Sequence, residues 1–595
     1  MSYLTEITNK RFIPNIVIYF KGFYWGIRNP DSGLTISTDR LCVDQVSINP
    51  TKVDPSRANT TINTYAFTLV DKNQSVSILF NGITKFFQNE QVSIYIGRSG
   101  VNMPFSAYLK LPDTYIKSCS KDGNAYKFNS TEAKDRLNRP AFNTSIKLEI
   151  DILSGTTEID TDGVIDLALW PSSGLFKLED EFISYASIDS VNNRFLGCIR
   201  AEKGSVAVAH KAGEDIFLVT EIIDNPVNIL LKCLISSGGG GVYDTLIDGA
   251  GIDNTLINVA KFEEIRDLFF IGQSYTLLLY NIENILTYLE TEIFYPNELR
   301  LISDNESKIS LAILNRRIFS DTLEQFTHDT IIKNITYDVD DTDICNTVNV
   351  EYDYDEPTSL YKKVYSLSDA DSIADFGKRE AITIKLKGVK TSSGGLQIAT
   401  DIAQRFLSRF AYPKPEISFS TQMDKSLTLL AEKVDLISNK LPNVDTGELN
   451  FADTVEVVER GINWKTGDVK FKVGFTSFTG IRECYLAPSD TIVSVINQKT
   501  ITVGAGRGAL YRSTWKMRIY SNVSRDYVDS QVNEIESIVG DQITFVDNWV
   551  STLSTNFRIM FCDYDDATDI QKKYCFISDD GLNFNDNKKS YQITL

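Results

Sequence analysis

The sequence of 595 residues has few of the side chains that catalysis and metal binding most often use. It holds two histidines, His210 and His328, and eight cysteines, no two of them spaced as CxxC. This composition argues against zinc ribbons, disulfide scaffolds and multi-histidine centres. No GxxxxGK[ST], GxSxG or HExxH motif is present either. We therefore expect no catalytic residue, no cofactor and no metal, and we predict that the chain is not an enzyme.

Positive charge and long apolar runs are also scarce. The 60 Lys and Arg residues are outnumbered by 79 Asp and Glu residues, which gives a net charge of −19. A chain of this charge repels polyphosphate, so general nucleic-acid binding is disfavoured. No run reaches the roughly 18 apolar residues of a membrane helix, because Pro14, Asn15 and Lys21 interrupt the apolar stretch Phe12–Trp25. We expect neither a membrane span nor a signal peptide.

What the sequence does contain is ordinary globular composition, with 42% hydrophobic and 23% charged residues, over a length typical of several domains. Short runs with alternating apolar residues dominate, and turn-rich stretches separate them. The predicted fold class is mainly β, multidomain, with an α+β middle region. The predicted domains are a β domain at 1–154, an inserted β-hairpin module at 155–222, an α+β domain at 223–330, a β domain with a helix at 331–480 and a C-terminal β module at 481–595.

Local patterns predict individual elements within these domains. Asn225-Pro226 starts a helix, since Asn is a good N-cap and proline fits the first turn. The apolar spacing over Thr276–Phe294 predicts a second helix, and a third covers Leu396–Phe410 and ends before Tyr412-Pro413. The alternating run Val76–Phe80 predicts a strand.

Three stretches resemble the baseplate or tail-tip hub proteins of tailed bacteriophages. The first is similar to a hairpin module that recurs in phage tail proteins, the second to the middle portion of such hubs, and the third to the second hub barrel. In that order they comprise Leu178–Tyr185, Ile199–Ser205 and Val208–Ile216; Asn225–Leu231, Thr245–Gly249 and Phe269–Glu290; and Asn346–Tyr352, Ser372–Arg379 and Ala399–Phe410. The resemblance covers about half of the chain, and the segment 481–595 matches no motif.

This resemblance implies a fold with two hub-type β barrels plus inserted and C-terminal β modules. It also implies a homotrimer in which the two barrels of each subunit alternate into a ring of six. Such a ring joins the sixfold tail tube, or a distal tail protein, to a threefold central spike or fibre protein. DNA passes through the ring without specific binding. The implied location is the tail of the virion, after assembly in the host cytoplasm.

Acidic residues are the candidate functional residues. Asp338, Asp340, Asp341 and Asp343 are close in sequence, while Glu351, Asp353 and Asp355 alternate along a predicted strand and therefore share one face. Alternating acids on a strand usually face water, and sequence neighbours on one strand do not provide the cleft that glycoside hydrolysis needs. Under the hub interpretation these seven acids are candidates for the lining of the DNA channel, where negative charge keeps DNA from sticking.

Two alternative functions stay open at the level of sequence. One is a tail-associated hydrolase that opens the cell wall, which would need a nucleophile, a metal or a pair of carboxylates across a cleft. The other is a receptor- or glycan-binding tail protein whose binding surface lies in 481–595, where Trp515 and Trp549 are the available tryptophans.

Overall fold

The computed structural model describes most of the chain, in two compact units. The described residues are 14–48, 51–52, 64–80, 90–98, 102–270, 272–316, 323–339, 344–443, 447–463, 468–474, 485–486, 489–511, 513, 515–521, 526–529, 531–561, 575–578 and 590–593. One unit comprises described residues of 1–315 and 323–479, and the other comprises those of 316–322 and 480–595. The predicted mainly β, multidomain fold is confirmed.

The N-terminal strands build the first sheet. They are β1 Pro14–Phe20, β2 Phe23–Gly26, β3 Val43–Ile48, β4 Thr51–Lys52, β5 Thr64–Val70, β6 Gln91–Arg98, β7 Leu109–Lys110, β8 Thr114–Asp122 and β9 Ala125–Thr131. All except β4 belong to this sheet, whose order is β2-β1-β6-β8-β9-β5-β3 with β7 beside β6. In β5 the side chains of Tyr65, Phe67 and Leu69 are buried and those between them are more exposed, so one face of the sheet is apolar.

A nine-stranded insert sheet follows in the chain. Its strands are β10 Ser145–Leu148, β11 Ile159–Asp162, β12 Gly174–Leu178, β13 Glu181–Tyr185, β14 Ser187–Asp189, β15 Arg194–Leu196, β16 Ile199–Glu202, β17 Asp215–Asp224 and β18 Tyr275–Leu279. Trp170, Phe176 and Phe195 lie in a core of its own. The sheet extends beyond 155–222 on both sides, because β10 pairs with β17 and β18 pairs with the other end of that strand.

Helices and a hairpin occupy the middle of the chain. The helices are Pro226–Ile235, Val259–Phe269 and Ile285–Leu289, the last continued by a π-helical turn Glu290–Phe294 and by Tyr295–Asn297. The hairpin is β19 Leu299–Ser303 and β20 Ile309–Ile313. Asn225 caps the first helix by accepting a hydrogen bond from the Val227 amide, as the sequence predicts. None of the helices in the described ranges is both long and apolar enough to cross a lipid bilayer.

The second sheet and a small sheet follow. Their strands are β21 Glu324–Thr327, β22 Ile331–Val339, β23 Thr347–Asp355, β24 Leu360–Ser368, β25 Ile382–Lys385, β26 Pro415–Gln422, β27 Lys433–Ser438, β28 Phe451–Asn463 and β29 Asp468–Gly474. The second sheet has the order β21-β27-β28-β29-β26-β22, and the small sheet has the order β24-β23-β25. Helices Ala370–Phe376 and Gly395–Phe410 belong to this region, so the predicted helix over 396–410 is confirmed.

The other compact unit is a β module. Its strands are β30 Tyr485–Leu486, β31 Ser489–Thr491, β32 Ser494–Asn497, β33 Thr500–Thr502, β34 Lys516–Ser521, β35 Asp526–Tyr527, β36 Asn533–Val539, β37 Gln542–Phe545, β38 Phe557–Phe561, β39 Cys575–Ser578 and β40 Ser590–Ile593. The larger of its sheets encloses Met517, Ile519, Ile543 and Trp549. Trp549 is thus a core residue, which leaves it unavailable as an exposed binding platform.

The first and second sheets have the same strand order. The first sheet contains the six neighbouring strands β1-β6-β8-β9-β5-β3, and the second sheet consists of β21-β27-β28-β29-β26-β22. When the six strands of each sheet are numbered along the chain, both orders read first, fourth, fifth, sixth, third, second. Bulges lie at matching places, between Ile116 and Ser118 in β8 and between Val457 and Glu459 in β28. One strand differs, since β1 is antiparallel to β6 whereas the short β21 is parallel to β27. Because bulges are specific features of a ladder, we interpret the two sheets as an internal structural repeat.

The same repeat is visible in the core as two triads of phenylalanine. In the first sheet, the ring centroid of Phe20 lies 6.1 Å from Phe67 and 5.2 Å from Phe128, which are 5.0 Å apart. In the second sheet, the matching strands place Phe326 5.5 Å from Phe419 and 5.2 Å from Phe471, which are 5.9 Å apart. All six side chains are buried in one continuous core.

Two predicted elements are wrong. The helix over 276–294 begins only at Ile285, because Tyr275–Leu279 pairs with β17 and Asn281 has a left-handed φ of 43°. The run 76–80 forms a 3₁₀ turn instead of a strand. The Asp71 carboxylate accepts hydrogen bonds from the amides of Val76 and Ser77, and this local capping favours a turn.

Matched truncations test the two triads. Phe67→Ala and Phe419→Ala should each lower the free energy of unfolding by roughly 3–5 kcal/mol, because each removes a buried ring and leaves a cavity. Urea denaturation of the purified chain measures the effect, and Ile78→Ala, at a side chain 68% exposed, should change it by less than about 0.5 kcal/mol. A large loss for one triad with none for the other would contradict their equivalence.

Candidate channel-lining face

Strand β23 of the small sheet carries three of the candidate acids. Val348, Val350 and Tyr352 of this strand are buried, while Glu351, Asp353 and Asp355 are half-buried. Helix Gly395–Phe410 covers the buried face so closely that a Cβ atom at Gly395 would lie 2.8 Å from the Tyr352 ring. The alternation of the strand directs Glu351 away from this helix, but Asp353 has a left-handed φ of 61°, which interrupts the alternation before Asp355.

Each of these acids has a defined neighbour. Asp355 forms an ion pair of 2.6 Å with Lys362 of β24, and hydrogen bonds from Lys362 and Thr358 lower its pKa. Asp353 accepts a hydrogen bond of 2.8 Å from the Thr391 hydroxyl. Glu351 is in register with Lys385 of the neighbouring strand β25. The acids of β23 are thus partly neutralised by lysines.

Asp338 is the one other candidate acid among the residues that the structure describes. Asp338 lies on β22 of the second sheet, where it is exposed and in register with Glu416. Asp340, Asp341 and Asp343 lie outside the described residues. Asp338 is close in sequence to Asp340, Asp341 and Asp343. Strand pairing places it on a different sheet from Glu351, Asp353 and Asp355.

A buried ionic network holds helix Gly395–Phe410 against the second sheet. The Glu456 carboxylate on β28 lies 2.8 Å from Arg409 and 3.1 Å from Lys433, and it accepts a hydrogen bond of 2.8 Å from the Asn315 amide. Burial alone would raise the pKa of Glu456, but the two cations lower it to about 2. Moving Arg409 away from Glu456 would leave a buried charge without its partner, which is energetically costly. The network therefore fixes the position of the helix that supports the small sheet.

A second, partly buried cluster contains residues that sequence reasoning missed. Glu356, just after β23, forms an ion pair of 3.1 Å with Lys387, and the Tyr280 hydroxyl lies 3.4 Å from its other oxygen. Glu292, in the π-helical turn, has a buried Oε2 without a hydrogen-bond partner, as has the Tyr288 hydroxyl. Four separate segments of the chain contribute these groups, so no local sequence motif predicts the cluster.

The environment of Glu292 favours its protonated form. Burial raises the pKa of this carboxyl to about 7, with Lys387 opposing and the nearby Glu356 carboxylate adding to the rise. The cluster joins carboxyl, phenol and ammonium groups, but no group of three or more His, Cys, Asp or Glu side chains in the described ranges could hold a metal ion.

The two histidines have different surroundings. His210 is fully buried in the insert sheet, with Nδ1 2.6 Å from Glu179 and Nε2 2.8 Å from Glu181. Arg200 donates two hydrogen bonds to Glu181, of 2.7 and 2.6 Å. His210 thus ties the β12–β13 turn to the chain before β17. His328 is exposed and lies 3.4 Å from the adjacent Asp329.

No family model matches this sequence, and no curated protein matches it. Solved structures do match. A prophage tail protein, gp18, from Listeria monocytogenes shares 10% identity at a TM-score of 0.34, over 78% of this chain and 95% of its own. A tail protein from Neisseria meningitidis shares 8% at 0.36, over 78% and 98%. The 43 kDa tail protein of prophage MuSo2 from Shewanella oneidensis shares 9% at 0.35, over 78% and 98%.

All three structural neighbours are tail proteins, and two of them are prophage proteins.

The insert sheet should lose stability in acid through Glu181. Burial raises its pKa, but hydrogen bonds from Arg200 and His210 reverse this and lower it from 4.5 to about 2. Its contribution is therefore present above about pH 4.5 and is lost as the pH falls towards 2, by on the order of 3 kcal/mol. Urea denaturation followed by the Trp170 emission, which a W170F variant lacks, measures the free energy of unfolding at each pH.

Glu181→Gln should remove this pH dependence, whereas Glu149→Gln, on the exposed surface, should keep it. An equal dependence of the unfolding free energy on pH in both variants would contradict the assignment to Glu181.

Glu292 should lower the stability of the fold as the pH rises, whereas Glu181 lowers it as the pH falls. Because its folded-state pKa is raised from 4.5 to about 7, stability should fall as the pH rises from about 4.5 to about 7, by on the order of 3 kcal/mol. Glu292→Gln, which stays neutral, should match the wild type near pH 5 and exceed its melting temperature near pH 8. Glu283→Gln, an exposed neighbour, is the control, and a Glu292→Gln variant that melts below the wild type at pH 8 would overturn this prediction.

Proposed function

We propose that this chain is a structural tail hub protein that assembles as a homotrimer. The observation that carries the proposal is the internal repeat, with two sheets of the same strand order, matching bulges and matching phenylalanine triads in one chain. Three copies of a chain with two equivalent sheets supply six similar units around one axis. This number suits a protein that contacts a sixfold tube on one side and a threefold object on the other.

The partners of the proposed ring follow from that symmetry. One side meets the tail tube or a distal tail protein, and the other meets a central spike or fibre protein. The ring belongs to the virion and is assembled in the host cytoplasm. Its role is mechanical, with no catalytic step assigned to the chain.

The acids of strand β23 support a role beside passing DNA. Glu351, Asp353 and Asp355 are half-buried on this strand, and Lys362 and Lys385 neutralise them only in part. At physiological salt the Debye length is about 8 Å, so only charges close to the channel wall act on phosphate. We place this end of β23 towards the channel, where it repels DNA weakly enough for the polymer to slide through.

The assembly can be measured directly on the purified full-length chain. Sedimentation equilibrium should give three chains per particle, and electron micrographs should show rings with threefold symmetry and six similar inner lobes. The variant Glu456→Gln, which breaks the network that holds the helix behind the small sheet, should lower thermal stability. Glu416→Gln, at a half-exposed ion pair, should leave both stability and mass unchanged. A monomer, or a ring with no trace of sixfold repetition, would overturn the proposal.

A further inference from the structure

The insert sheet exposes a group of aliphatic side chains at one end, where β10 and β12 finish and β17 begins. They are Leu153, Ile199, Val206 and Val208, which we call the end patch. Their exposed fractions range from 45% to 74%. They come from the loop after β10, the edge strand β16 and the chain before β17. Exposed apolar residues that are grouped in this way mark interaction sites, whereas single ones do not.

One guanidinium group brings the members of the end patch together. Arg200 donates a hydrogen bond of 2.7 Å to the backbone carbonyl of Leu153 and one of 2.6 Å to that of Val208. Ile199 directly precedes Arg200 on β16, and Val206 lies two residues before Val208. Three segments that are separate in the sequence therefore meet around the Arg200 side chain.

A buried network fixes the backbone of the end patch. The Glu181 carboxylate accepts hydrogen bonds from Arg200 and from the Val208 amide, and it lies 2.8 Å from Nε2 of His210. The side chains of Arg200, Glu181 and His210 are almost completely buried. Such charged groups are tolerated in a core only when they are paired, and here their pairing holds an exposed loop in one conformation. A surface that is ordered before it binds loses less entropy on association.

Acidic side chains surround the end patch. Three segments form this end of the insert sheet, namely 149–158, 179–181 and 199–214. Together they contain eight Asp and Glu residues but three Lys and Arg residues. Of these cations, Arg200 is buried against Glu181, and Lys203 and Lys211 each form an ion pair with an acid. The rim of the end patch is therefore negative.

An apolar surface with a negative rim fits a partner of one chemical kind. It repels nucleic acids and anionic lipid surfaces, and a second copy of this chain, with its net charge of −19, is a poor electrostatic match. We infer that the end patch binds a protein whose contact surface is apolar at its centre and carries Lys and Arg at its rim. The first and second sheets, on which the proposed trimer rests, are not part of this surface.

A pair of synthetic helical peptides tests the inference on the full-length chain. Both peptides carry a stripe of leucines, which is flanked by lysines in one peptide and by glutamates in the other. Fluorescence anisotropy should show saturable binding of the lysine peptide and no binding of the glutamate peptide. Val206→Ser with Val208→Ser should weaken the binding of the lysine peptide roughly tenfold, because two apolar contacts are lost.

A matched control distinguishes the end patch from other exposed apolar residues. Val164→Ser with Val191→Ser removes two valines that are at least as exposed but lie in the loop after β11 and in the β14–β15 turn. It should leave the affinity unchanged. No saturable binding of the lysine peptide, or equal affinity for the wild type and the Val206→Ser, Val208→Ser variant, would overturn the inference.

Charge reversal tests the negative rim separately from the net charge of the chain. Glu149→Lys with Asp180→Lys, at two exposed acids of this end, should weaken the binding of the lysine peptide roughly tenfold. Glu306→Lys with Asp329→Lys changes the net charge equally at exposed acids outside the insert sheet, and it should have little effect. An equal loss of affinity in both variants would show that the peptide senses only the net charge, which contradicts a specific site.

Two further measurements exclude other occupants of the end patch. Vesicles of phosphatidylcholine and phosphatidylglycerol should not bind the chain, and binding that depends on Val206 and Val208 would overturn the choice of a protein partner. Sedimentation equilibrium should give the same number of chains per particle for the wild type and the Val206→Ser, Val208→Ser variant, since a lower number in the variant would identify a second copy as the occupant. A wild-type chain that is not a trimer overturns the proposed function and leaves this inference standing.

Discussion

The apolar faces of the first and second sheets share one hydrophobic core, and the rest of the larger unit depends on this constraint. An antiparallel sheet with one apolar face must cover that face, and here residues of the two sheets do so in a single cluster that contains both phenylalanine triads. The hairpin Leu299–Ile313 contributes Ile302 and Ala312 to the same cluster, and Leu314, the next residue, also belongs to it. The repeat is therefore a fused pair, and neither sheet has a complete core without the other.

Buried carboxyl groups of the larger unit have two different effects on its stability. Glu456 and Glu181 each contact cationic partners and backbone amides, so they are stable as carboxylates and tie separate segments together. Glu292 lies near a second carboxylate and has an unpartnered oxygen, so its protonated form is favoured. The same residue type thus stabilises the fold at two places and limits its stability at a third.

The edges and surfaces of the sheets connect this architecture to assembly. Barrels abolish free edges, but an open sheet must cover them or use them. Strand β4 covers one such edge within the chain, where it pairs with β28 of the second sheet. The net charge of −19 is compatible with the proposed homotrimer beside DNA, because an acidic surface repels polyphosphate.

The sequence by itself determined the class of fold and showed that side chains typical of catalysis are few. Its local patterns also predicted the β strands with clear alternation and the two helices Pro226–Ile235 and Gly395–Phe410. It failed at Tyr275–Leu279, because a dense apolar run satisfies helical and strand periodicity alike, and only pairing with β17 decided between them. That Asp338 and the acids of β23 lie on different sheets was decided by strand pairing. The repeat and the His210 and Glu292 clusters arise from contacts between distant segments, which local sequence patterns do not encode and which the tertiary structure alone decided.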